Sequence, residues 1–200
     1  MSISNDTTRI SDLLDLHLSR WLSERRLRHI KGVEQTALAL ARRFGVDPAP
    51  VRLASLAHDM DRETPASVQL ALVSDWRIPL TPFERANPKV LHGAVSAERL
   101  VREYGVRDTA VYDAVRHHTL GDPVLAEQEI PVGLILYVAD YCEPGRVTVD
   151  QETRLTILNL PEIPLMVLRI LESVRNVYGP LEEPTERLYA SLVRERDDAT

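Results

Sequence analysis

Helical periodicity runs through almost the whole chain, and the period-2 alternation that is typical of strands is nearly absent. Residues 11–28 carry leucines and a tryptophan at helical spacing between charged residues. A second apolar stripe runs from about 28 to 44 and ends before Gly45, a residue typical of helix ends. Asp47-Pro48 combines an N-cap with a first-turn proline and begins a helix that runs to about 60. The 200 residues therefore predict an all-α fold, a helical bundle in a single domain.

Local start and stop signals predict the remaining helices. Thr64-Pro65 begins a short helix, and Thr81-Pro82-Phe83-Glu84 is a capping-box pattern. Further helices are expected at about 89–104, 108–118, 164–178 and 184–197. Residues 130–141 are apolar enough for a buried helix or a buried strand, and their length and surroundings favour the helix.

The charge and cysteine content exclude several classes of protein. The chain has 24 basic and 30 acidic residues, a net charge of −6, which argues against a broad contact with nucleic acid or an anionic membrane. A small phosphorylated ligand stays compatible, because a local site can differ in sign from the whole chain. The single cysteine, Cys142, excludes a disulfide framework and a cysteine zinc cluster. No membrane span or signal peptide is recognisable, so a cytoplasmic protein is expected. The leucines of residues 11–22 fit a homodimer surface as well as a local cap.

The histidines are the most informative residues, since five of the six fall between positions 29 and 118. His29, His118 and Asp140 each lie four residues from an apolar residue of their own helix, so they project from buried faces. His58-Asp59 ends an apolar helix, and His92 lies within an apolar segment. Several polar side chains are therefore predicted to point into one core.

Buried carboxylates and imidazoles destabilise a core unless they are paired or bind a metal. Neutral histidine nitrogens and aspartate oxygens suit Fe, Mn, Zn or Ni. Ligation without cysteine and with two carboxylates favours a catalytic centre with open positions over a structural zinc site. A single histidine on an apolar face is usually a hydrogen-bonded core residue, so only the joint occurrence of these residues favours a metal site.

The order H…HD…H…HH…D on a helical chain resembles the HD superfamily of metal-dependent phosphohydrolases. Five local strings resemble its symmetrical bis(5′-nucleosyl)-tetraphosphatase branch: RLRHIKGVEQTALALARRFGVD, LAHDMDRE, NPKVLHGAVSA, VRHHTLGD and YVADYCEPGR. The resemblance covers residues 26–150 well, with ADYCEPGR the most specific part. It implies an N-terminal helical extension over residues 1–25 and an HD-type domain over 26–200, with the metal site in the core of the bundle.

The resemblance also implies roles for individual residues. The implied metal ligands are His29, His58, Asp59 and Asp140, with His92, His117 and His118 available for a second ion. Catalytic roles are implied for His58, Asp59, His92, His118 and Asp140. The implied substrate-binding residues are Arg26, Lys89, His92, His118, Arg146, Pro180, Leu181, Glu182, Glu183, Pro184 and Thr185.

The implied activity is the symmetrical hydrolysis of diadenosine tetraphosphate (Ap4A) and related dinucleoside polyphosphates to two ADP by a metal-activated water. The cofactor would be one or two divalent ions, iron first and Mn, Ni, Co or Zn as the other candidates. Three departures concern the substrate pocket: Asp122 replaces an arginine, the segment between His118 and Asp140 is longer than usual, and the second proline of the C-terminal motif is shifted to Pro184.

Three other interpretations of the sequence stay open. The chain could be a different HD hydrolase that acts on mononucleotides, deoxynucleoside triphosphates or cyclic dinucleotides. It could be a non-catalytic module that senses nucleotide or metal, although the complete set of candidate ligands argues against a degenerate site. It could also be a helical interaction domain whose histidines are core residues.

Overall fold

The computed structural model describes residues 3–198, with side chains from residue 6 onward, and this part of the chain contains helices and no strand. The α-helices are α1 (Ile3–Trp21), α2 (Glu24–Phe44), α3 (Pro48–Ala57), α4 (Ala66–Asp75), α5 (Pro82–Ala86), α6 (Leu91–Tyr104), α7 (Thr109–His117), α8 (Val132–Cys142), α9 (Gln151–Leu158), α10 (Ile163–Tyr178) and α11 (Glu183–Asp198). Short 3₁₀ turns, Pro88–Val90 and Pro123–Leu125, precede α6 and follow α7.

The all-α prediction is confirmed, and the apolar segment at 130–141 forms α8 as expected. The first predicted segment, 11–28, suited one amphipathic helix or two, and the structure divides it between two helices. The break has a local cause: Ser23 is extended and its hydroxyl accepts a hydrogen bond from the Arg26 amide, which caps α2. Helix α9 was not predicted, because it buries few residues and its start depends on the Asp150 cap rather than on an apolar stripe.

The main core lies where α2, α3, α7, α8 and α10 pack together, with α8 buried along nearly its whole length. Helix α1 packs against α3 and buries Leu14 and Leu18 in the same core, while Leu13 and Leu16 face outward. The inward leucines therefore act as a local cap. The division of the chain at residue 25 and the homodimer stay predictions. Within residues 3–198, no helix combines the length and the apolar character needed to cross a bilayer.

Most of the polar candidate residues lie at or near helix ends, and these ends meet at one point of the core. His58 and His118 are the C-cap residues of α3 and α7, and His92 lies in the first turn of α6. His29 lies in the second turn of α2, and Asp140 in the last turn of α8. Four helices contribute an end and α2 contributes its second turn, so the site forms at a junction of five helices.

One buried ion pair outside this junction gives a test of the fold by pH. Glu84 is buried, closes the predicted capping box with Thr81 and accepts hydrogen bonds from Arg116. Burial alone would raise the pKa of Glu84, but Arg116 and Thr81 outweigh it and hold the pKa below the ordinary 4.5. This stabilisation is present above pH 4.5 and is lost as the pH falls through the lower folded-state pKa. We expect Glu84→Gln to be less stable than the wild type at pH 7, with a gap that narrows below about pH 4.5, measured by urea unfolding. A constant gap would contradict the assignment.

Candidate metal centre

Asp59 lies at the centre of the polar cluster, and its two carboxylate oxygens face two different pairs of histidines. Oδ2 lies 3.5 Å from His29 Nε2 and 3.6 Å from His58 Nε2. Oδ1 lies 3.1 Å from His92 Nε2 and 3.6 Å from His118 Nε2. Two triads result, each with ligand atoms within 4.8 Å of one another, and they share Asp59. Asp140 adds a second carboxylate beside the first triad, with Oδ1 3.2 Å from His29 Nε2.

The other ring nitrogen of each histidine is held by an acceptor. Nδ1 of His58, His118 and His92 lies 2.7, 2.8 and 3.2 Å from the carbonyl oxygens of Ser55, Val115 and Lys89. A carbonyl oxygen can only accept, so Nδ1 carries the proton in these three bonds and Nε2 of the neutral ring keeps its lone pair. His29 makes the equivalent contact through Nδ1 with the Glu143 carboxylate, at 3.1 Å.

The exposed lone pairs face one another. His92 Nε2 and His118 Nε2 are 3.1 Å apart, and His29 Nε2 and His58 Nε2 are 3.4 Å apart. Two acceptor nitrogens at such distances repel unless a cation or a proton lies between them. Imidazoles in their neutral form and anionic carboxylates are the donor set that a divalent transition metal prefers, and the carbonyls and Glu143 supply the outer contacts that orient metal-binding histidines. The residues therefore fit a divalent metal ion, and two triads leave room for one or two.

The surroundings shift the protonation states of the cluster in both directions. Burial alone would lower the pKa of His29 and of His118, but the carboxylates of Asp140 and Asp59 outweigh it and raise both, so a metal ion competes with a proton for these two rings. Burial lowers the pKa of His58 to about 4, which keeps the ring neutral at pH 7. Burial alone would raise the pKa of Asp59, but the neighbouring histidines outweigh it and hold the pKa well below its ordinary value. For Asp140, burial is likewise outweighed by the hydrogen bond from His29 and by Arg146, so the pKa is lowered. Both carboxylates are therefore anionic at neutral pH.

Arginines surround the cluster. Arg26 Nη1 donates to Asp59 Oδ2, and Arg146 Nη2 donates to Asp140 Oδ1 at 2.6 Å. Arg26 is largely buried, and its Nε has no hydrogen-bond partner in the described part of the chain. Arg62 donates through Nη1 to the Lys89 carbonyl at 2.9 Å and lies beside His92. A guanidinium that is only partly used by protein acceptors is suited to bind phosphate oxygens.

Two clefts open from the cluster and share its floor of His118, Thr119, Asp140, Arg146 and Thr148. The larger cleft has a volume of about 1110 Å³ and is lined by cations from α2 and the loops: Arg25, Arg26, Arg28, Lys31, Arg62 and Arg146. The smaller, about 400 Å³, has aromatic and apolar walls that include Tyr141, Val174, Tyr178 and Leu181. The site is thus cationic on one side and apolar on the other.

Most of the predicted substrate-binding residues lie beside these clefts. Arg26 and Arg146 line the larger one, and Pro180, Leu181, Glu182 and Thr185 line the smaller one. Glu183 is exposed and pairs with Arg187, whereas Pro184 is buried at the start of α11, so neither lines a cleft.

Lys89 and His117 lie outside the arrangement that the resemblance implied. The Lys89 side chain is exposed and lines neither cleft, and only its carbonyl contacts the site, through His92 and Arg62. His117 belongs to neither triad found among the described residues. Successive helical residues point about 100° apart, so the orientation that brings His118 into the cluster turns His117 away from it.

Two residues that touch the cluster carried no role in the sequence analysis. Arg62 follows Asp59 by three residues, and Glu143 follows Asp140 by three. Each lies just beyond a helix end that carries a ligand candidate. The acidic residue in the string YCEPGR, three positions after Asp140, is the sequence signal that could have indicated Glu143.

The departures around residue 122 have a local structural explanation. The Asp122 side chain accepts a hydrogen bond from the Val124 amide at 3.0 Å and caps the 3₁₀ turn Pro123–Leu125. This turn buries Leu125 completely, and Asp122 itself lines neither cleft. The longer segment after His118 therefore adds core packing rather than a wall of the site.

Comparisons with known proteins agree with this geometry. The model of the HD domain family matches residues 26–145. The symmetrical bis(5′-nucleosyl)-tetraphosphatase of Bacillus subtilis (strain 168) is 32% identical over 157 residues, 78% of this chain and 78% of that protein. The enzyme of the same name from Staphylococcus aureus is 30% identical over 125 residues, 62% of each protein. A crystal structure of a predicted HD superfamily hydrolase involved in NAD metabolism from Clostridium acetobutylicum superposes with a TM-score of 0.78 at 26% identity, covering 92% of this chain and 97% of that one.

Proposed function

The chain belongs to the HD domain family, in the group that holds the symmetrical bis(5′-nucleosyl)-tetraphosphatases, and from this premise we propose that it is a metal-dependent hydrolase of dinucleoside polyphosphates. The substrate is Ap4A or a close relative, and the products are two ADP. The names of the relatives support this substrate. No role in binding nucleic acid or a membrane is proposed.

The observation that carries the proposal is the pair of clefts that meet at the cluster. A dinucleoside polyphosphate has a nucleoside at each end and a phosphate chain between them. The smaller cleft offers Tyr141 and Tyr178 as surfaces against which a base can stack, and the cations of the larger cleft can hold the remaining phosphates. A mononucleotide would fill only one cleft, so the arrangement favours a two-ended substrate.

In this proposal the side chains of the protein bind the phosphates and the metal. Arg26, Arg62 and Arg146 hold phosphate oxygens, and Arg146 lies on the floor that both clefts share. Asp59 and Asp140 would hold the metal together with His29, His58, His92 and His118. A bound divalent metal supplies two things: it lowers the pKa of a coordinated water from about 16 toward about 7, and it offsets phosphate charge.

Symmetrical cleavage follows if the second phosphate from one nucleoside lies over the cluster. A water oxygen then bonds to that phosphorus and the water loses a proton to solvent. The bridging P–O bond to the third phosphate breaks, and the second ADP leaves with the bridging oxygen. We propose that the smaller cleft, whose lining includes Asp140, holds one nucleoside at a set distance from that residue. This distance selects which phosphate reaches the water.

We propose iron as the first candidate for the metal, with Mn, Ni, Co and Zn able to occupy the same histidine and aspartate donors. Two triads that share Asp59 can hold a second ion, with His92 and His118 as its histidine ligands. The free, buried Cys142 suits the reducing cytoplasm, where we place the enzyme.

A product assay tests the function directly. Freshly purified protein, incubated with Ap4A and Fe²⁺ under reducing conditions, is expected to release ADP as the sole nucleotide product. Treatment with a chelator should abolish this release, and added Fe²⁺ or Mn²⁺ should restore it. A mixture of AMP and ATP would contradict symmetrical cleavage. Preferred turnover of mononucleotides or cyclic dinucleotides would support a different HD hydrolase, and ADP binding without turnover would support a sensor.

A further inference from the structure

We propose that Glu143, seated against Gly32 and Gly145, is a positioning residue that fixes the ring of His29 for metal binding. The inference rests on the metal centre proposed above. Among the four histidines of the two triads, His29 differs in that the acceptor at its Nδ1 is a carboxylate rather than a backbone carbonyl.

The contacts of Glu143 leave its carboxylate little freedom. The residue is 3% exposed and lies at the C-cap of α8, three residues after Asp140. Oε1 lies 3.1 Å from His29 Nδ1, and Oε2 accepts a hydrogen bond from the Gly145 amide at 2.6 Å. Each oxygen thus has a separate donor. Because the carboxylate accepts from Nδ1, the His29 Nε2 lone pair points toward His58, Asp59 and Asp140.

Gly32 explains why this carboxylate can lie against α2. A Cβ built on Gly32 would lie 2.5 Å from Glu143 Oε2, and one on Gly145 would lie 2.9 Å from the same oxygen. Gly32 is in the interior of α2, where glycine destabilises a helix relative to alanine. The space it leaves is filled by the carboxylate, which is a reason for glycine at this position.

His29 needs this support more than the other three histidines. Its side chain is 15% exposed, whereas those of His58, His92 and His118 are 3% exposed or less. Without an acceptor at Nδ1, the His29 ring can exchange its tautomer or rotate toward the larger cleft. Either change removes one lone pair from the first triad.

The first test uses two readouts besides activity. In metal-free protein at alkaline pH, where the ring is neutral, nitrogen NMR of His29 should show the proton on Nδ1 in the wild type and a mixture of tautomers in Glu143→Ala. In a titration with Mn²⁺, the Glu143→Ala variant should bind about 10- to 100-fold more weakly than the wild type, the range for the loss of an outer-shell partner of a metal ligand.

A second variant separates positioning from general stability. Gly32→Ala should weaken Mn²⁺ binding, because the new Cβ displaces the carboxylate from its contacts with His29 and Gly145. The gain in helix propensity from alanine offsets part of the cost of those lost contacts, so the metal-free variant should remain folded. Glu84→Gln is the matched control: it removes a buried carboxylate that lies outside the cluster and should leave the Mn²⁺ affinity unchanged.

The outcomes distinguish this inference from the proposal on which it rests. A wild type that binds no Mn²⁺ would overturn the metal centre itself. A wild type that binds Mn²⁺, with Glu143→Ala and Gly32→Ala binding equally well, would overturn only the role of Glu143. An unchanged His29 tautomer in Glu143→Ala would also overturn it.

Discussion

The Asp59→Asn variant is expected to lose hydrolysis of Ap4A by more than about 100-fold, because it loses the metal. Removal of an outer partner of a metal ligand already lowers affinity about 10- to 100-fold, and Asp59 is the one side chain shared by both triads. Asparagine keeps the size of the side chain but has one acceptor oxygen and no negative charge. The metal content of the purified variant, measured by elemental analysis, should fall together with the rate of ADP release.

Asp61 provides a matched control two residues along the chain. It is buried like Asp59 and bound to an arginine, Arg99, at 3.0 Å, but it hydrogen-bonds to Ser96 rather than to the histidines. Asp61→Asn should cost about 1.5–3 kcal/mol of unfolding free energy, the range for hydrogen bonds to charged groups, and retain the metal. If Asp59→Asn keeps both metal and near-normal hydrolysis, Asp59 is not a ligand. If Asp61→Asn loses metal to the same extent, the loss in Asp59→Asn reports unfolding rather than ligation.

The helices, and most of the residues in the polar cluster, were predictable from the sequence because apolar periodicity is a local signal. Apolar periodicity shows which face of a helix is buried, and a polar residue on that face, such as His29 or Asp140, stands out against it. Helix ends were equally readable at Asp47-Pro48 and Thr81, where capping chemistry is local. Local sequence patterns therefore predict the individual helices, and the order of the family motif predicts that their polar residues meet in one site.

The parts that the sequence could not show depend on contacts between distant segments. Glu143 meets His29 across 114 residues, and Arg62 reaches the Lys89 carbonyl across 27. The choice between His117 and His118 depends on the rotation of α7 about its axis, and both lie in the same turn. The separate clefts are likewise a product of packing, because α2 and the loop after α8 form one, and α10 with the start of α11 forms the other.

The Arg146→Ala variant is expected to lose hydrolysis while it keeps the metal. Arg146 lies on the floor shared by both clefts, and its guanidinium pairs with Asp140 on one edge only, through Nη2. Loss of charge-assisted hydrogen bonds to phosphate costs about 1.5–3 kcal/mol, which corresponds to about 10- to 150-fold in kcat/KM for Ap4A. Arg146→Lys should recover only part of the loss, because an ammonium keeps the charge but not the planar fork.

This outcome separates substrate binding from metal binding within one site. In the Arg146→Ala variant Asp140 loses a competing cation, so its affinity for a divalent ion should be retained or raised, the reverse of Asp59→Asn. Arg169→Ala, a change at a half-exposed arginine paired with Glu172, is the control for arginine removal in general. Metal loss in Arg146→Ala would assign Arg146 to the support of Asp140 instead. If kcat/KM for Ap4A and the metal content are both unchanged, Arg146 does not bind the substrate phosphates, and Arg26 and Arg62 are the cations that do.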